Sequence, residues 1–258
     1  MEIESVTRVD AVERIGHAEA MAVAAVENRR FAEQLAGFAA EDWAKPTDCA
    51  LWDVKGVAAH VVGSAAGQAS PREFVRQVVA GRPLRAEIGG AFWWDGMNEL
   101  QVRERSALSP DALRAEWDVV SPKAIRSRTT LPRLVAGLPL LGLPAPVGRQ
   151  PVGYLFDVGF TRDVWMHRID LARATGRPAI HDAAHDGRIV ADIVAEWALR
   201  HGEPCTLELS GPAGGTFTSG AGASGSGGEH VAMDAIEFCR VLAERAEGPG
   251  VLRHKLPL

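Results

Sequence analysis

The chain contains 258 residues, and 28 Lys and Arg against 33 Asp and Glu give it a formal net charge of −5. Hydrophobic residues make up 47% and charged residues 24%, which are the proportions of a globular protein and exclude extensive disorder. The mildly acidic balance argues against a nucleic-acid-binding protein, because phosphate contacts need a basic surface. The three cysteines form no CxxC pair, so they indicate neither a cysteine-based zinc site nor a disulfide framework.

The N-terminal residues MEIESVTRVD are acidic and lack the apolar segment of a secretory signal. No stretch approaches the roughly 18 to 20 apolar residues that span a bilayer. We therefore expect a cytoplasmic protein without a membrane segment.

The first three quarters of the chain have the apolar spacing of helices. The predicted helices cover 9–38, 53 to at least 64, 72–80, 92–105, 110 through at least 117, and 153–174. Asp53 can cap the second helix, and Pro71 suits the first turn of the third. Gly81 and Pro83 are expected to end that third helix, and Ser109 precedes a proline at the start of the fifth.

Two segments between the later helices have unusual composition. The loop from Leu131 to Gly148 is apolar yet rich in Pro and Gly, which suggests a lid, a pocket wall or a loop packed over the helices. The stretch from Lys123 to Arg133 is basic without aromatic residues, which is typical of a solvated face that could attract an anionic substrate.

The last quarter of the chain alternates helices and strands. It is predicted to contain a helix over 186–200, a strand over 205–210, a glycine-rich turn over 211–228 with a short strand near Phe217, a helix over 233–246 and a final strand over 251–258. The fold class is therefore mainly α with a small α+β module, divided into domains 1–180 and 181–258 by a linker between Gly176 and His185.

Asp163 and His167 are the strongest candidates for chemistry. They are four residues apart, so they project from one side of a helix and could both bind a metal. A catalytic zinc needs a third ligand, and His60, alone on a small apolar helix face, is the best candidate. A surface ion pair, or a core histidine held by a carboxylate, explains the same spacing. His181 and His185 form a weaker pair in the expected linker.

Other functional signals are weak. The glycine-rich run matches neither a P-loop nor a GxGxxG turn, and no GxSxG motif is present. Trp93 and Trp94 could line a substrate pocket, although ordinary core packing is the simpler explanation.

Several segments resemble the mycothiol-dependent maleylpyruvate isomerase family of the DinB-like metalloenzyme superfamily. The N-terminal pattern is Trp43, Thr47-Asp-Cys49, Trp52-Asp-Val-Lys and His60, and the second motif is Arg162-Asp-Val-Trp-Met-His-Arg-Ile-Asp170-Leu. The tail from Asp234 to Arg245 and the closing residues 251–258 are similar to the family's C-terminal module.

The resemblance implies a DinB-like four-helix bundle followed by a sterol-carrier-like α+β domain. It also implies a divalent metal, usually zinc, held by His60, Asp163 and His167. Asp163 stands where the family has a glutamate in an ExxxH motif.

The resemblance further implies an enzyme that uses the low-molecular-weight thiol mycothiol. A metal-bound thiolate would attack a small electrophilic substrate, leading to cis–trans isomerisation or to S-transfer. By motif position Arg245, and second Arg240, would bind a substrate carboxylate, although Glu244 replaces the family's glycine before Arg245. The alternative is a non-catalytic protein that binds a small molecule in an apolar cavity between the two domains.

Overall fold

The computed structural model describes residues 6–143, 147–220 and 228–258, and it is mainly helical with a small sheet. The chain groups into two compact units. The helical unit comprises His17–Leu140 and Pro151–Ala179, and the sheet unit comprises the residues up to Gly16, Leu141–Gln150 and Ile180–Leu258. Parts of the expected lid and glycine-rich turn, 144–146 and 221–227, lie outside the described residues. Within the described residues, no helix has both the length and the apolar character needed to cross a bilayer.

The helical unit contains the site predicted from the sequence. Its helices are α1 (His17–Ala36), α2 (Val54–Ala69), α3 (Pro71–Glu87), α4 (Trp93–Arg105), α5 (Pro110–Thr129), α6 (Arg133–Ala136), α7 (Val152–Tyr154) and α8 (Phe160–Thr175). Helices α1 and α2 each pack against both α5 and α8, around a common apolar core. A buried ion pair between Glu27 of α1 and Arg168 of α8, 2.9 Å long, adds a polar contact on another face of α8.

The helix starts follow the capping signals in the sequence. The Asp53 carboxylate accepts a hydrogen bond of 2.7 Å from the Gly56 amide and caps α2, as predicted. The Ser109 hydroxyl accepts from the Ala112 amide at 3.2 Å and caps α5. Pro71 and Pro110 occupy the first turns of α3 and α5, where a missing backbone N–H costs nothing.

Two helix boundaries differ from the prediction. The apolar spacing predicts a helix from Val9, but α1 begins at His17, and Val9–Ala11 forms a 3-10 turn of the sheet unit. The predicted end of the third helix at Gly81 and Pro83 is wrong, because α3 continues to Glu87. Gly81 is needed for packing, since a Cβ there would lie 2.6 Å from the carbonyl carbon of Gly96 in α4.

A π-helical segment interrupts the helix that was predicted as continuous over 153–174. It covers Leu155–Gly159, between α7 and α8. The Arg128 guanidinium donates to the Phe156 carbonyl and to the Thr161 hydroxyl, both at 2.7 Å, and so ties this segment to α5. Arg128 is 1% exposed, and burial lowers its pKa to about 10, so it does not belong to the predicted solvated basic face. Lys123 and Arg126 are exposed, as that prediction expected.

The described part of the sheet unit surrounds a four-stranded mixed sheet. Its elements are β1 (Val6–Arg8), β2 (Leu141–Gly142), β3 (Arg149–Gln150), α9 (Asp186–His201), β4 (Cys205–Ser210), β5 (Gly215–Ser219), β6 (Glu229–Asp234) and α10 (Ala235–Leu242). The strand order is β1-β5-β4-β6, in which β4 is antiparallel to β5 and parallel to β6, and β1 is parallel to β5. Strands β2 and β3 form a separate antiparallel pair.

The end of the chain differs from the prediction. The helix predicted over 233–246 is shorter, because Met233 and Asp234 belong to β6 and α10 ends at Leu242. The predicted strand over 251–258 is absent. Residues Gly250–Arg253 form a 3-10 turn, and the Val251 amide donates to the Glu229 carboxylate at 2.9 Å rather than to a neighbouring strand.

Candidate metal centre

Three predicted ligands converge inside the helical unit. His60 lies on α2, and Asp163 and His167 lie one turn apart on α8, which packs against α2. The Asp163 Oδ1 atom is 3.4 Å from Nε2 of His60 and 3.5 Å from Nε2 of His167. The two imidazole rings lie edge to face with their centroids 5.0 Å apart. One nitrogen or oxygen atom from each residue therefore points to a common position.

The spacing of these atoms fits a divalent metal. Ligand atoms about 2.0–2.1 Å from a tetrahedral ion lie about 3.3–3.4 Å from each other, close to the two separations from Asp163. Two imidazoles and one carboxylate are a donor set that zinc accepts, with further positions left for water or substrate. His60 is 2% and His167 is 6% exposed, whereas the side chain of Asp163 is 27% exposed, so the cluster reaches the surface at the carboxylate.

Each histidine uses its other ring nitrogen for a hydrogen bond. His167 Nδ1 lies 3.0 Å from Oδ2 of Asp170, a carboxylate that is fully buried. His60 Nδ1 lies 2.8 Å from Oε1 of Gln101 on α4. Both partners can accept, and a ring that carries its proton on Nδ1 offers the Nε2 lone pair to the common position.

Cys49 lies beside the same cluster. Its Sγ donates to Asp170 Oδ2 at 3.4 Å and is 3.8 Å from His167 Nδ1. Cys49, His167 and Asp170 therefore form a second group of potential metal ligands that shares one histidine with the first. The first group is the one predicted from the sequence, and in it Asp170 would orient His167 instead of binding the ion.

Trp52 covers one face of His60. The two rings stack with a centroid separation of 5.1 Å and an angle of 25°. The indole Nε1 donates to Oε2 of Glu99 at 3.2 Å, and Arg103 donates to the other oxygen of that carboxylate. These contacts hold the indole flat against the imidazole and limit the rotation of His60.

The other residues named from the sequence lie elsewhere. Trp93 and Trp94 are half-buried in the first turn of α4, edge to face with each other. His181 Nδ1 lies 3.2 Å from the buried Asp186 carboxylate, outside both groups of potential ligands found among the described residues.

The two candidate arginines do not share a helix. Arg240 lies on α10, is 4% exposed and pairs with Glu237, whereas Arg245 is half-buried and follows the end of α10. The helix predicted over 233–246 would have carried both arginines, and that prediction is wrong because α10 ends at Leu242. Glu244, between them, adopts a left-handed conformation with φ of 60° and so ends the helical path.

Sequence reasoning named Asp170, Cys49 and Trp52 within the motifs but gave them no role in binding a metal, and it did not name Gln101. Asp170 had a visible signal, because it lies three residues after His167 on the same helix face. Gln101 gave no such signal, because glutamine occurs in helices for many structural reasons. Its position follows only from how α4 packs against α2.

The fold and this cluster define a mainly helical protein with a histidine–carboxylate centre of the type that binds divalent metals. Residues 24–172, more than half of the chain, match the family model described as the mycothiol maleylpyruvate isomerase N-terminal domain. The chain therefore belongs to the mycothiol maleylpyruvate isomerase family, and all three candidate ligands lie within the matched residues.

Comparison with solved structures shows a similar fold. The crystal structure of the mycothiol-dependent maleylpyruvate isomerase aligns with a TM-score of 0.57 and 17% identity, covering 93% of both chains. A mutant of that enzyme with a histidine replaced by alanine aligns with a TM-score of 0.57 and 16% identity, again over 93% of both chains. At these identities the likeness defines the fold, and the solved relatives are enzymes. Comparison with curated protein sequences gives no match.

Proposed function

We propose that this protein is a metal-dependent and mycothiol-dependent enzyme, either a thiol S-transferase or a cis–trans isomerase, that acts on a small electrophilic substrate. The observation that supports this most directly is the convergence of His60, Asp163 and His167 on one position, with separations of 3.4 and 3.5 Å from the carboxylate. The family match supports the thiol as cofactor and favours an enzyme over a non-catalytic binding protein.

In this proposal His60, Asp163 and His167 hold one divalent metal, which we infer to be zinc. A metal bound there supplies the positive charge that keeps a coordinated thiol in its thiolate form at neutral pH. With their Nδ1 atoms donating to Gln101 and Asp170, the two histidines would offer their Nε2 lone pairs to the metal. Asp163 lies at the accessible side of the cluster, where a thiol and a substrate can approach.

The proposal also assigns the binding of a substrate carboxylate to an arginine near the C-terminus. Arg245 is the first candidate, because it is half-buried whereas Arg240 is almost fully buried and paired with Glu237. A guanidinium binds a carboxylate through two parallel hydrogen bonds and so fixes its orientation.

Trp93 and Trp94 are proposed to line the pocket for the substrate. The finer fold assignment, a DinB-like four-helix bundle with a sterol-carrier-like C-terminal domain, is part of the same proposal.

Elemental analysis tests the metal assignment without any assay of turnover. We expect about one zinc per chain in the purified protein and little or none in His167→Ala, because two remaining ligands hold the ion weakly. His181→Ala is a matched control, since His181 also contacts a buried carboxylate but lies outside the cluster. Full zinc content in His167→Ala would contradict the assignment of His167 as a metal ligand.

Thiol dependence is tested with the zinc-loaded enzyme. Turnover of small electrophiles with conjugated double bonds is expected with mycothiol and not with an unrelated thiol. Product analysis then separates isomerisation, which returns the thiol, from S-transfer, which consumes it. Equal rates with and without mycothiol would contradict the proposed cofactor.

A further inference from the structure

Two buried glutamines connect His60 to the backbone of its own helix. His60 Nδ1 lies 2.8 Å from Gln101 Oε1, and Gln101 Nε2 donates to Gln77 Oε1 at 2.8 Å. Gln77 Nε2 donates to the Gly63 carbonyl at 3.0 Å and to the Glu73 carboxylate at 3.1 Å. His60, Gln77 and Gln101 are at most 2% exposed, so water does not compete for these bonds. We call Gln77 and Gln101 the amide relay.

The hydrogen bonds of the amide relay can be donated in only one direction along the chain of side chains. The Gly63 carbonyl can only accept, so the Gln77 atom facing it must be the amide nitrogen. The Gln77 oxygen is then the atom that accepts from Gln101, and the Gln101 oxygen is the atom that faces His60. His60 must therefore donate from Nδ1, which in the neutral ring leaves the lone pair on Nε2.

The helices are shaped to admit the two glutamines. A Cβ at position 63 would lie 2.5 Å from Gln101 Cβ, and a Cβ at position 67 would lie 2.8 Å from Gln77 Oε1. Gly63 and Gly67 lie one turn apart on α2, so together they leave a slot for both side chains. The close Gly81–Gly96 crossing brings α3, with Gln77, against α4, with Gln101.

We propose that the amide relay is a positioning device that sets the tautomer of His60, keeping its Nε2 atom free of a proton and ready to bind a metal. The device is needed because the Asp163 carboxylate, 3.4 Å from Nε2, attracts the proton to that nitrogen when no metal is bound. Gln77 touches neither His60 nor the common ligand position through any bond described above, so it acts only through Gln101.

NMR of the metal-free protein tests the tautomer directly. Long-range proton–nitrogen spectra at a pH where imidazoles are neutral distinguish Nδ1–H from Nε2–H histidine. We expect Nδ1–H for His60 in the unmodified protein. In Gln101→Met the acceptor is lost, and the proton should move to Nε2, toward Asp163.

Three variants separate positioning from packing. In Gln77→Met the amide of Gln101 can turn over, so the tautomer of His60 should shift toward Nε2–H although residue 77 lies two hydrogen bonds away. Gln101→Glu keeps an acceptor for Nδ1–H but loses the donor to Gln77 Oε1, so a retained Nδ1–H tautomer would show that the acceptor at position 101 sets it. Gln68→Met is the matched control, because Gln68 is also a buried glutamine but bonds to Ser64 on its own helix.

Affinity for Zn²⁺ alone, measured by competition with a chromogenic chelator, gives the second readout. We expect a loss of about 10- to 100-fold in Gln101→Met and a smaller loss in Gln77→Met, with no change in Gln68→Met. An Nε2–H tautomer in the unmodified protein overturns the proposal. So does a loss of Zn²⁺ affinity in Gln101→Met with the tautomer unchanged, because that result indicates packing alone.

The value of this tautomer for catalysis depends on the proposed metal-dependent function, but its measurement does not. If the relay variants change the tautomer and the Zn²⁺ affinity while the protein shows no thiol-dependent turnover, the proposed reaction fails and the relay stands. If turnover requires mycothiol while the tautomer is insensitive to the relay, the relay fails and the function stands.

Discussion

Asp163 shows how a single residue can depart from a family pattern and still keep its place in the site. The family resemblance implies a glutamate here, and an aspartate is one methylene shorter. The carboxylate nevertheless lies within 3.5 Å of both Nε2 atoms, because the two imidazoles lie 5.0 Å apart and α2 packs directly against α8. The shorter side chain therefore still places a carboxylate oxygen near both histidines.

Glu244 is a second residue that departs from the family pattern. Among the described residues it is the one non-glycine residue with a positive φ, at 60°. Side chains other than glycine are strained in this region, and a glycine at this position is what the family resemblance implies. The left-handed turn follows α10 directly and sets the direction in which Arg245 leaves the helix.

We predict that Glu244→Gly stabilises the end of α10. Relief of left-handed strain outweighs the extra freedom that glycine adds to the unfolded chain, which leaves a net gain of about 0.5–1 kcal/mol. Hydrogen exchange of the α10 amides measures this as increased protection. Glu247→Gly, at a nearby exposed position without positive φ, is the control and should give no gain. Unchanged protection in Glu244→Gly would show that the turn is not strained.

At the scale of elements, helices α3 and α4 cross closely, and both pack against α2, which carries His60. The crossing depends on Gly81 and Gly96, whose backbones are in direct contact. A glycine inside a helix costs about 1 kcal/mol relative to alanine, so its presence here indicates that close approach is worth more than helix propensity. The same contact aligns Gln77 with Gln101.

We predict that Gly81→Ala destabilises the helical unit by about 1–3 kcal/mol, because the new methyl group would overlap the backbone at Gly96. Thermal unfolding followed by helical circular dichroism measures the change. Gly37→Ala is the control, since a Cβ there meets its nearest atom at an ordinary 3.5 Å. Wild-type stability in Gly81→Ala would mean that α3 and α4 can separate without loss.

Capping signals made several helix starts predictable from the sequence. Asp53, Pro71 and the Ser109-Pro110 pair give the starts of α2, α3 and α5 because the bonds they form are local. The end of α8 was also predictable, because Gly176 follows Thr175 in a left-handed conformation, but the end of α3 and the interruption before α8 were not. From the sequence alone, Gly81 predicts a helix end, although in the fold it packs against α4. The π-helical segment accepts a hydrogen bond from Arg128, which lies on another helix.

The predicted site was accessible to sequence reasoning for a similar reason. Asp163 and His167 are related by helical spacing, and His60 stands out as a polar residue on an apolar face. The residues that hold these ligands in position come from other elements. Gln101 reaches His60 from α4, and Cys49 precedes α2, so their contacts exist only after the chain has folded.

At the scale of the whole molecule, neither unit is a single run of sequence. The first described residues and the segment 141–150 group with the C-terminal residues, while 151–179 groups with the N-terminal helices. Strand β1 is parallel to β5, a partner about 210 residues away by the register of Val6 with Thr216. Such a pairing leaves little trace in sequence, because a three-residue strand has no periodicity to detect.

We predict that Val9→Ala weakens the sheet unit by about 1–3 kcal/mol. Val9 is 4% exposed, and its 3-10 turn packs against α9 and β5, so truncation leaves a cavity there. Hydrogen exchange of the β5 amides should accelerate. Val6→Ala, at a position that is 59% exposed, serves as the control. Equal exchange in both variants would show that the N-terminal turn contributes nothing to the sheet.

The slot formed by Gly63 and Gly67 has a consequence for how relatives of this chain are compared. Residues 63 and 101 share one space, as do 67 and 77. A larger residue at 63 would overlap Cβ of residue 101, whereas one at 67 meets the end of the Gln77 side chain, which can shift, so we expect coupled change chiefly at 63 and 101. Comparison of relatives position by position would treat these four sites as independent. Their joint variation would instead mark which members of the family orient the first histidine through amides and which use another group.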